Sequence, residues 1–190
     1  CVIIKLDTPQ LETPMLYLIG IVLICFAGFR GIGVDRDSVG YVRIFSSFND
    51  YSDWFYSFYE PMTVIIPVTF KLIGLDYIRA SFVCFAFIAV SLKIIAISNY
   101  SQFKLLSILL YFSNIYLLQD LTQIRVGVAV GILLLTIQDI IDRKFCSFVV
   151  KIAFATLFHY STLIFLPFYF LKHNKINHKR YLYCFLLICV

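Results

Sequence analysis

Residues 122–135 read Thr122-Gln123-Ile124-Arg125-Val126-Gly127-Val128-Ala129-Val130-Gly131-Ile132-Leu133-Leu134-Leu135, and the predominantly apolar stretch, interrupted by Gln138 and Asp139, continues to Ile141. A single guanidinium thus opens a segment close to the ~20 apolar residues that cross a bilayer. A second polar intrusion follows in Ala153-Phe154-Ala155-Thr156-Leu157-Phe158-His159-Tyr160-Ser161-Thr162-Leu163-Ile164-Phe165-Leu166-Pro167. An arginine at a membrane centre costs roughly 2.5–3.5 kcal/mol on insertion scales, so such groups face a cavity, a partner or a substrate. Arg125 and His159 are therefore the first candidate site residues.

The rest of the chain places it in the same class. Of its 190 residues 61% are hydrophobic, 18% are aromatic and only 14% are charged, far from the balance of soluble domains. The expected fold is all-α, a polytopic integral membrane protein forming one membrane domain over residues 1–190. The sequence begins at Cys1 and stops within an apolar run, as expected of a fragment of a longer multi-span protein. The six cysteines (Cys1, Cys25, Cys84, Cys146, Cys184, Cys189) are scattered, without CxxC or metal-type spacing, and read as small hydrophobes. No Gly-rich phosphate loop and no basic-aromatic patch occurs, which argues against nucleic acid as a partner. No cofactor is implied. The formal charge of +5 is ascribed to membrane topology.

Hydropathy predicts helices over Leu11–Phe29, Ile78–Ile97, Phe103–Leu118, Leu121–Ile141, Phe145–Phe158, Tyr160–Leu171 and from Arg180 onward. Pro61–Gly74 spans only ~21 Å at 1.5 Å per residue, short of the ~30 Å hydrocarbon core. It is expected to be re-entrant or interfacial. The positive-inside rule then gives one consistent topology. Lys5, Lys93, Lys104, Arg143-Lys144 and 172–180 lie inside; Arg30 to Arg79, Asp120 to Arg125 and His159 lie outside. Lys151 snorkels inward. A single helix over Phe145–Leu171 would break the charge rule, so a hairpin of two short helices meeting near His159 is preferred.

Residues 30–60 form the expected extracytoplasmic loop. Its aromatics Tyr41, Phe45, Phe48, Phe55 and Phe58 recur at helical steps, which suggests amphipathic helices on the membrane surface. Trp54, Tyr56 and Tyr59 suit the headgroup level. Arg30, Gly31, Gly33 and Asp35 make a tight polar exit from the first helix. Asp35-Arg36-Asp37 also fits a weak DxD pattern for a divalent cation, although no metal site is assigned. The outer side carries arginines (Arg30, Arg36, Arg43, Arg79, Arg125), and guanidinium binds phosphate bidentately.

On these residues the chain resembles the Wzy-type O-antigen and capsular repeat-unit polymerases of the EpsG-like group. The pattern is Phe29-Arg30-x-x-Gly33-x-Asp35-x5-Tyr41, then Glu60-Pro61, then Gln123-Ile124-Arg125-Val126-Gly127-Val128-Ala129, then Phe158-His159-Tyr160-Ser161. In the family the arginine often adjoins a glutamine, whereas here Gln123 precedes Arg125 by two residues.

The resemblance implies glycosyl transfer from an undecaprenyl-diphosphate-linked oligosaccharide to the sugar hydroxyl of another. The reaction takes place at the outer face of the bacterial inner membrane, and a chain-length regulator protein is a candidate partner. Under that reading Arg125 and Arg30 bind the diphosphate. His159 or Asp35 is the general base, and Glu60 orients the acceptor or pairs with an arginine. The competing expectations are a polyprenyl-phosphate-sugar glycosyltransferase, a membrane O-acyltransferase, and a flippase for lipid-linked oligosaccharides.

Overall fold

The computed structural model describes residues 9–170, and every regular element among them is helical. Helix α1 spans Pro9–Gly28, and the short α2 (Ser38–Ser47) and α3 (Asp53–Tyr56) follow. Next come α4 (Pro61–Leu72), α5 (Tyr77–Tyr100) and α6 (Lys104–Tyr111), which continues as a π-helix over Phe112–Asp120. Helices α7 (Ile124–Ile141) and α8 (Phe145–Thr156) lead to a 3-10 segment, Tyr160–Phe170. Two helices, α5 and α7, are long and apolar enough to span a membrane by themselves, and four shorter apolar helices accompany them. With that composition the protein is an all-α integral membrane protein. The helix expected from Arg180 onward, Lys5 and the stretch 172–180 lie outside the described residues.

The long helices approach closely because small residues face their neighbours, the usual route to close packing of helices in lipid. A Cβ on Gly20 of α1 would stand 2.9 Å from Ile94 of α5, and one on Gly28 would stand 3.0 Å from the Val83 backbone. These pairings set α1 antiparallel to α5. On the other side of α5, a Cβ on Gly131 of α7 would stand 2.9 Å from the Leu92 Cβ and 3.3 Å from the Ala89 carbonyl. Gly131→Val is expected to force α5 and α7 apart and to lower folded yield in membranes. Gly40→Ala, where nothing lies within 4 Å, should leave folded yield unchanged; fluorescence-detected size exclusion compares the two.

The core runs through α5. Phe45, Phe82, Phe85, Ile124, Val128, Ala155 and Phe158 form its upper cluster, with Phe85 stacked on Phe45 and edge-on to Phe158. Leu16, Leu23, Val90, Ile94, Tyr111 and Tyr116 form a second cluster among α1, α5 and α6.

Helix α4 leads from Glu60 back to the head of α5 through a turn at Gly74, whose φ is +80°. Lys71 at its far end donates to the Phe48 carbonyl and to Asn49 Oδ1. The α8/3-10 hairpin breaks at residues 157–159, so two short segments meet at His159 and no single long helix forms.

Three expectations need correction. The aromatic stripe of the loop does not form one surface helix. Tyr41, Phe45 and Phe48 turn into the core, whereas Phe55, within the four-residue α3, and Phe58, just after it, are exposed. The physical reason is that α2 packs on α4 and α5, where burying rings releases far more than laying them on a headgroup layer.

Lys93 does not reach the inner side. Its ammonium is buried in the bundle, bonded to Asp120 and to the Gly127 carbonyl at 2.7 Å. Lysine side chains on a helix lean toward its N-terminus, and Asp120 offers a countercharge there. Finally, the helix expected at Phe103–Leu118 changes to π-helical winding at Phe112 and runs on to Asp120. That winding ends with the Leu121 amide donating to the Tyr116 carbonyl at 3.0 Å.

Candidate functional site at the helix ends

Four chain segments converge at one end of the bundle: the exit of α1, the entrance of α4, the first turn of α7 and the break after α8. Each is placed by local chemistry. Pro61 occupies the first position of α4, where its missing N–H is harmless and its fixed φ suits a helix. Glu60 before it is extended, at φ −63° and ψ 146°, and its side chain does not cap the helix, so its carboxylate is free to meet other partners. The next amide, Met62 N–H, donates to the Leu157 carbonyl at 3.1 Å, which fastens α4 to the end of α8.

Beyond Leu157, Phe158 is buried against Phe85, and the His159 carbonyl accepts from the Thr162 hydroxyl at 2.8 Å. The Tyr160 hydroxyl donates to the Tyr59 carbonyl at 3.1 Å. The histidine is thus held on both sides.

Glu60 joins the rest. One carboxylate oxygen takes Arg125 Nη1 and the other lies 2.9 Å from His159 Nδ1. The Glu60 side chain is 7% exposed, whereas Arg125 and His159 are 23% and 31% exposed. The carboxylate is therefore the buried bridge, and its two partners present their outer faces. With Glu60 accepting from Nδ1–H, the second ring nitrogen, Nε2, carries a lone pair and has no hydrogen bond among the described residues.

Two tyrosines flank the arginine, with the guanidinium carbon 5.7 Å from the Tyr41 ring centroid and 5.9 Å from that of Tyr59. Such contacts hold a cation by the ring quadrupole. Burial pushes the Tyr41 hydroxyl above its ordinary pKa despite the opposing Arg125 charge, so it stays a neutral phenol at physiological pH.

Arg30 and Asp35 form a separate pair beside this group. Arg30 Nε donates to Asp35 at 2.8 Å, its Nη1 donates to the Ala27 carbonyl at 2.6 Å, and its guanidinium lies 4.5 Å from the Phe82 centroid. The other Asp35 oxygen accepts from the amides of Asp37 and Ser38 at 3.0 and 2.8 Å. Gly33, at φ +90°, closes the turn by donating its amide to Ser38 Oγ at 2.8 Å. Only glycine adopts that φ without strain. Both side chains of the pair are 4% exposed, so in this arrangement they fasten the loop from α1 to α2 and offer no free face. Phe82 links the two groups, since its ring meets Tyr41 edge-on at 6.3 Å.

Of the five residues singled out by sequence, Arg125, Glu60 and His159 come together, and Arg30 and Asp35 pair next to them. The sequence placed Tyr41 in the aromatic face and the family pattern and Tyr59 at the headgroup level, but assigned neither a place in the site. Their signal in the sequence is an aromatic six residues before α2 ends and another adjoining Glu60. Among the described residues no three His, Cys, Asp or Glu side chains cluster to hold a metal.

Comparison with known proteins bears on this geometry. The EpsG family matches residues 14–190, nearly the whole chain. The chain belongs to the EpsG family. It is also 27% identical over 171 residues to the amylovoran biosynthesis protein AmsC of Erwinia amylovora, covering 84% of this chain and 45% of AmsC. The chain thus spans less than half the length of that relative. No solved structure matches. Within this EpsG-family chain the match includes every segment that builds the site.

Proposed function

We propose that the protein acts in polysaccharide biosynthesis. Specifically, it joins undecaprenyl-diphosphate-linked oligosaccharide repeat units by glycosyl transfer at the outer face of the bacterial inner membrane. The observation that carries this reading is the Glu60 carboxylate bridging Arg125 and His159. The family match and the name of the relative AmsC support the biosynthetic setting.

In the proposed reaction a sugar hydroxyl of the acceptor attacks the anomeric carbon of the donor. The new glycosidic C–O bond forms as the bond to the diphosphate breaks, and undecaprenyl diphosphate leaves with the electron pair. The hydroxyl proton passes to His159 Nε2. Glu60 fixes the imidazole tautomer and stabilises the imidazolium that results, as a carboxylate does in a triad. A positioned base of this kind contributes roughly 10²–10⁴-fold. Arg125, whose side chain is 23% exposed, offers the outer part of its guanidinium to the departing diphosphate, where a fixed cation stabilises charge as it develops. Its place in the first turn of α7 adds the positive end of the helix dipole. Arg30 and Asp35 act through geometry, holding the loop that shapes the site.

Arg125→Lys keeps the charge and loses the planar fork, so polymer yield is expected to fall well below wild type. The test is complementation of a polymerase-null strain with the full-length protein, at matched expression, with surface polysaccharide read as a ladder. Wild type should restore the ladder, and Arg125→Ala and His159→Ala should leave single capped repeat units. A wild type that gives no ladder, or repeat units that fail to reach the outer face when the protein is absent, would contradict polymerisation and favour a flippase.

A further inference from the structure

Beside Arg125, the first turns of α2 leave a groove of about 250 Å³ lined by Arg36, Asp37, Gly40, Tyr41, Ile44 and Arg125. The Arg36 guanidinium and the Asp37 carboxylate make no side-chain hydrogen bond or ion pair among the described residues. They stand in contrast to Asp35, both of whose oxygens are engaged. Gly40 has nothing within 4 Å of a would-be Cβ, so this wall of the groove is open.

Charge decides between ligands. The groove and its bridge hold two guanidinium groups, Arg36 and Arg125, against two carboxylates, Asp37 and Glu60. A site balanced in this way suits a neutral polyhydroxyl better than a second multiply charged phosphate, which Asp37 would repel. An unpaired carboxylate and an unpaired guanidinium close together match the alternating donors and acceptors of a sugar ring. The ring of Tyr41 and the side chain of Ile44 supply apolar surface for its C–H faces.

We propose that this groove is a sugar subsite, in which the residue attached to the diphosphate lies with Asp37 accepting from its hydroxyls and Arg36 donating to its oxygens. The assignment rests on the proposed glycosyl-transfer reading, and it makes Asp37 and Arg36 determinants of which repeat unit is accepted.

The test uses full-length protein in nanodiscs and two ligands. One is undecaprenyl diphosphate. The other is the lipid-linked repeat unit that accumulates in cells lacking the protein. Wild type should bind the sugar-bearing lipid more tightly. Asp37→Ala should weaken that binding by about tenfold or more, as expected for loss of a hydrogen bond to a charged group, and should leave undecaprenyl diphosphate bound as well or better. Arg36→Ala should likewise act on the sugar-bearing ligand, whereas Arg43→Ala, on α2 but outside the groove, should change neither.

Equal binding of the two ligands by wild type overturns the subsite. So does an Asp37→Ala variant that weakens both ligands alike or neither. A polymer ladder that persists alongside such a result leaves the glycosyl-transfer reading standing. Absence of both ladder and binding removes that reading and the subsite with it.

Discussion

His159→Ala in the full-length protein is expected to lower the rate of repeat-unit joining by roughly 10²–10⁴-fold, the usual contribution of a positioned general base, while binding of the lipid-linked substrate changes little. The His159 side chain is 31% exposed and anchored through Nδ1 to Glu60 at 2.9 Å, so removing it does not open the core. Glu60→Gln should produce a large loss by a different route. An amide keeps the size but not the charge, so the imidazolium formed during the reaction is no longer stabilised and Arg125 loses its countercharge. Because Glu60 is shared, the losses from Glu60→Gln and His159→Ala are expected to be far from additive, as for residues that act as a unit. Rates measured on purified protein with both single variants and the double variant check this. Additive losses would mean that the carboxylate and the imidazole work independently.

The second large effect is structural. Lys93 and Asp120 are 1% and 0% exposed and bonded to each other, and Tyr111 donates its hydroxyl to the second Asp120 oxygen at 2.6 Å. Removing one partner of a buried ion pair leaves an uncompensated charge, which costs about 3–5 kcal/mol. Lys93→Ala is therefore expected to destabilise the protein severely. Restoring neutrality with Lys93→Met together with Asp120→Leu should recover much of the loss, because a buried pair is itself weakly stabilising against apolar replacements. Thermal unfolding in detergent, followed by aggregation, separates the two. A double variant as unstable as Lys93→Ala would show that the pair does more than cancel charge. The same pair explains Gly127: a Cβ there would collide with the Asp120 side chain. Gly127→Ala should reproduce part of the Lys93→Ala defect by prising Asp120 from its partner.

These residues also mark what was legible in the sequence. Among the described residues the apolar runs and their charged borders located both long helices, α5 and α7, since a bilayer leaves a chain few alternatives. The break at His159 was legible as well, because the charge rule disfavoured one long helix over Phe145–Leu171. The 65-residue separation between Glu60 and Arg125 and the further stretch to His159 could be bridged only by assuming a common side of the membrane; in the structure the three meet at one end of the bundle.

Other features were not legible. The Lys93–Asp120 pair was hidden because the charge rule assigns a lysine to a side and says nothing of a countercharge 27 residues away. The aromatic spacing in the loop was real, but periodicity does not reveal whether a face meets lipid or protein. Tyr41 and Phe45 met protein; Phe55 and Phe58 did not. Arg30 and Asp35 read as functional by type and spacing, and only the packing over Phe82 placed them as a buried pair.

The most direct measurement is in vitro polymerisation by the purified full-length protein in nanodiscs, supplied with the lipid-linked repeat unit, with chain length and released undecaprenyl diphosphate both followed. The account predicts that wild type lengthens the glycan with one undecaprenyl diphosphate released per bond formed, and that His159→Ala binds substrate but releases almost none. A wild type that releases no undecaprenyl diphosphate, or a His159→Ala variant that polymerises at the wild-type rate, would contradict it.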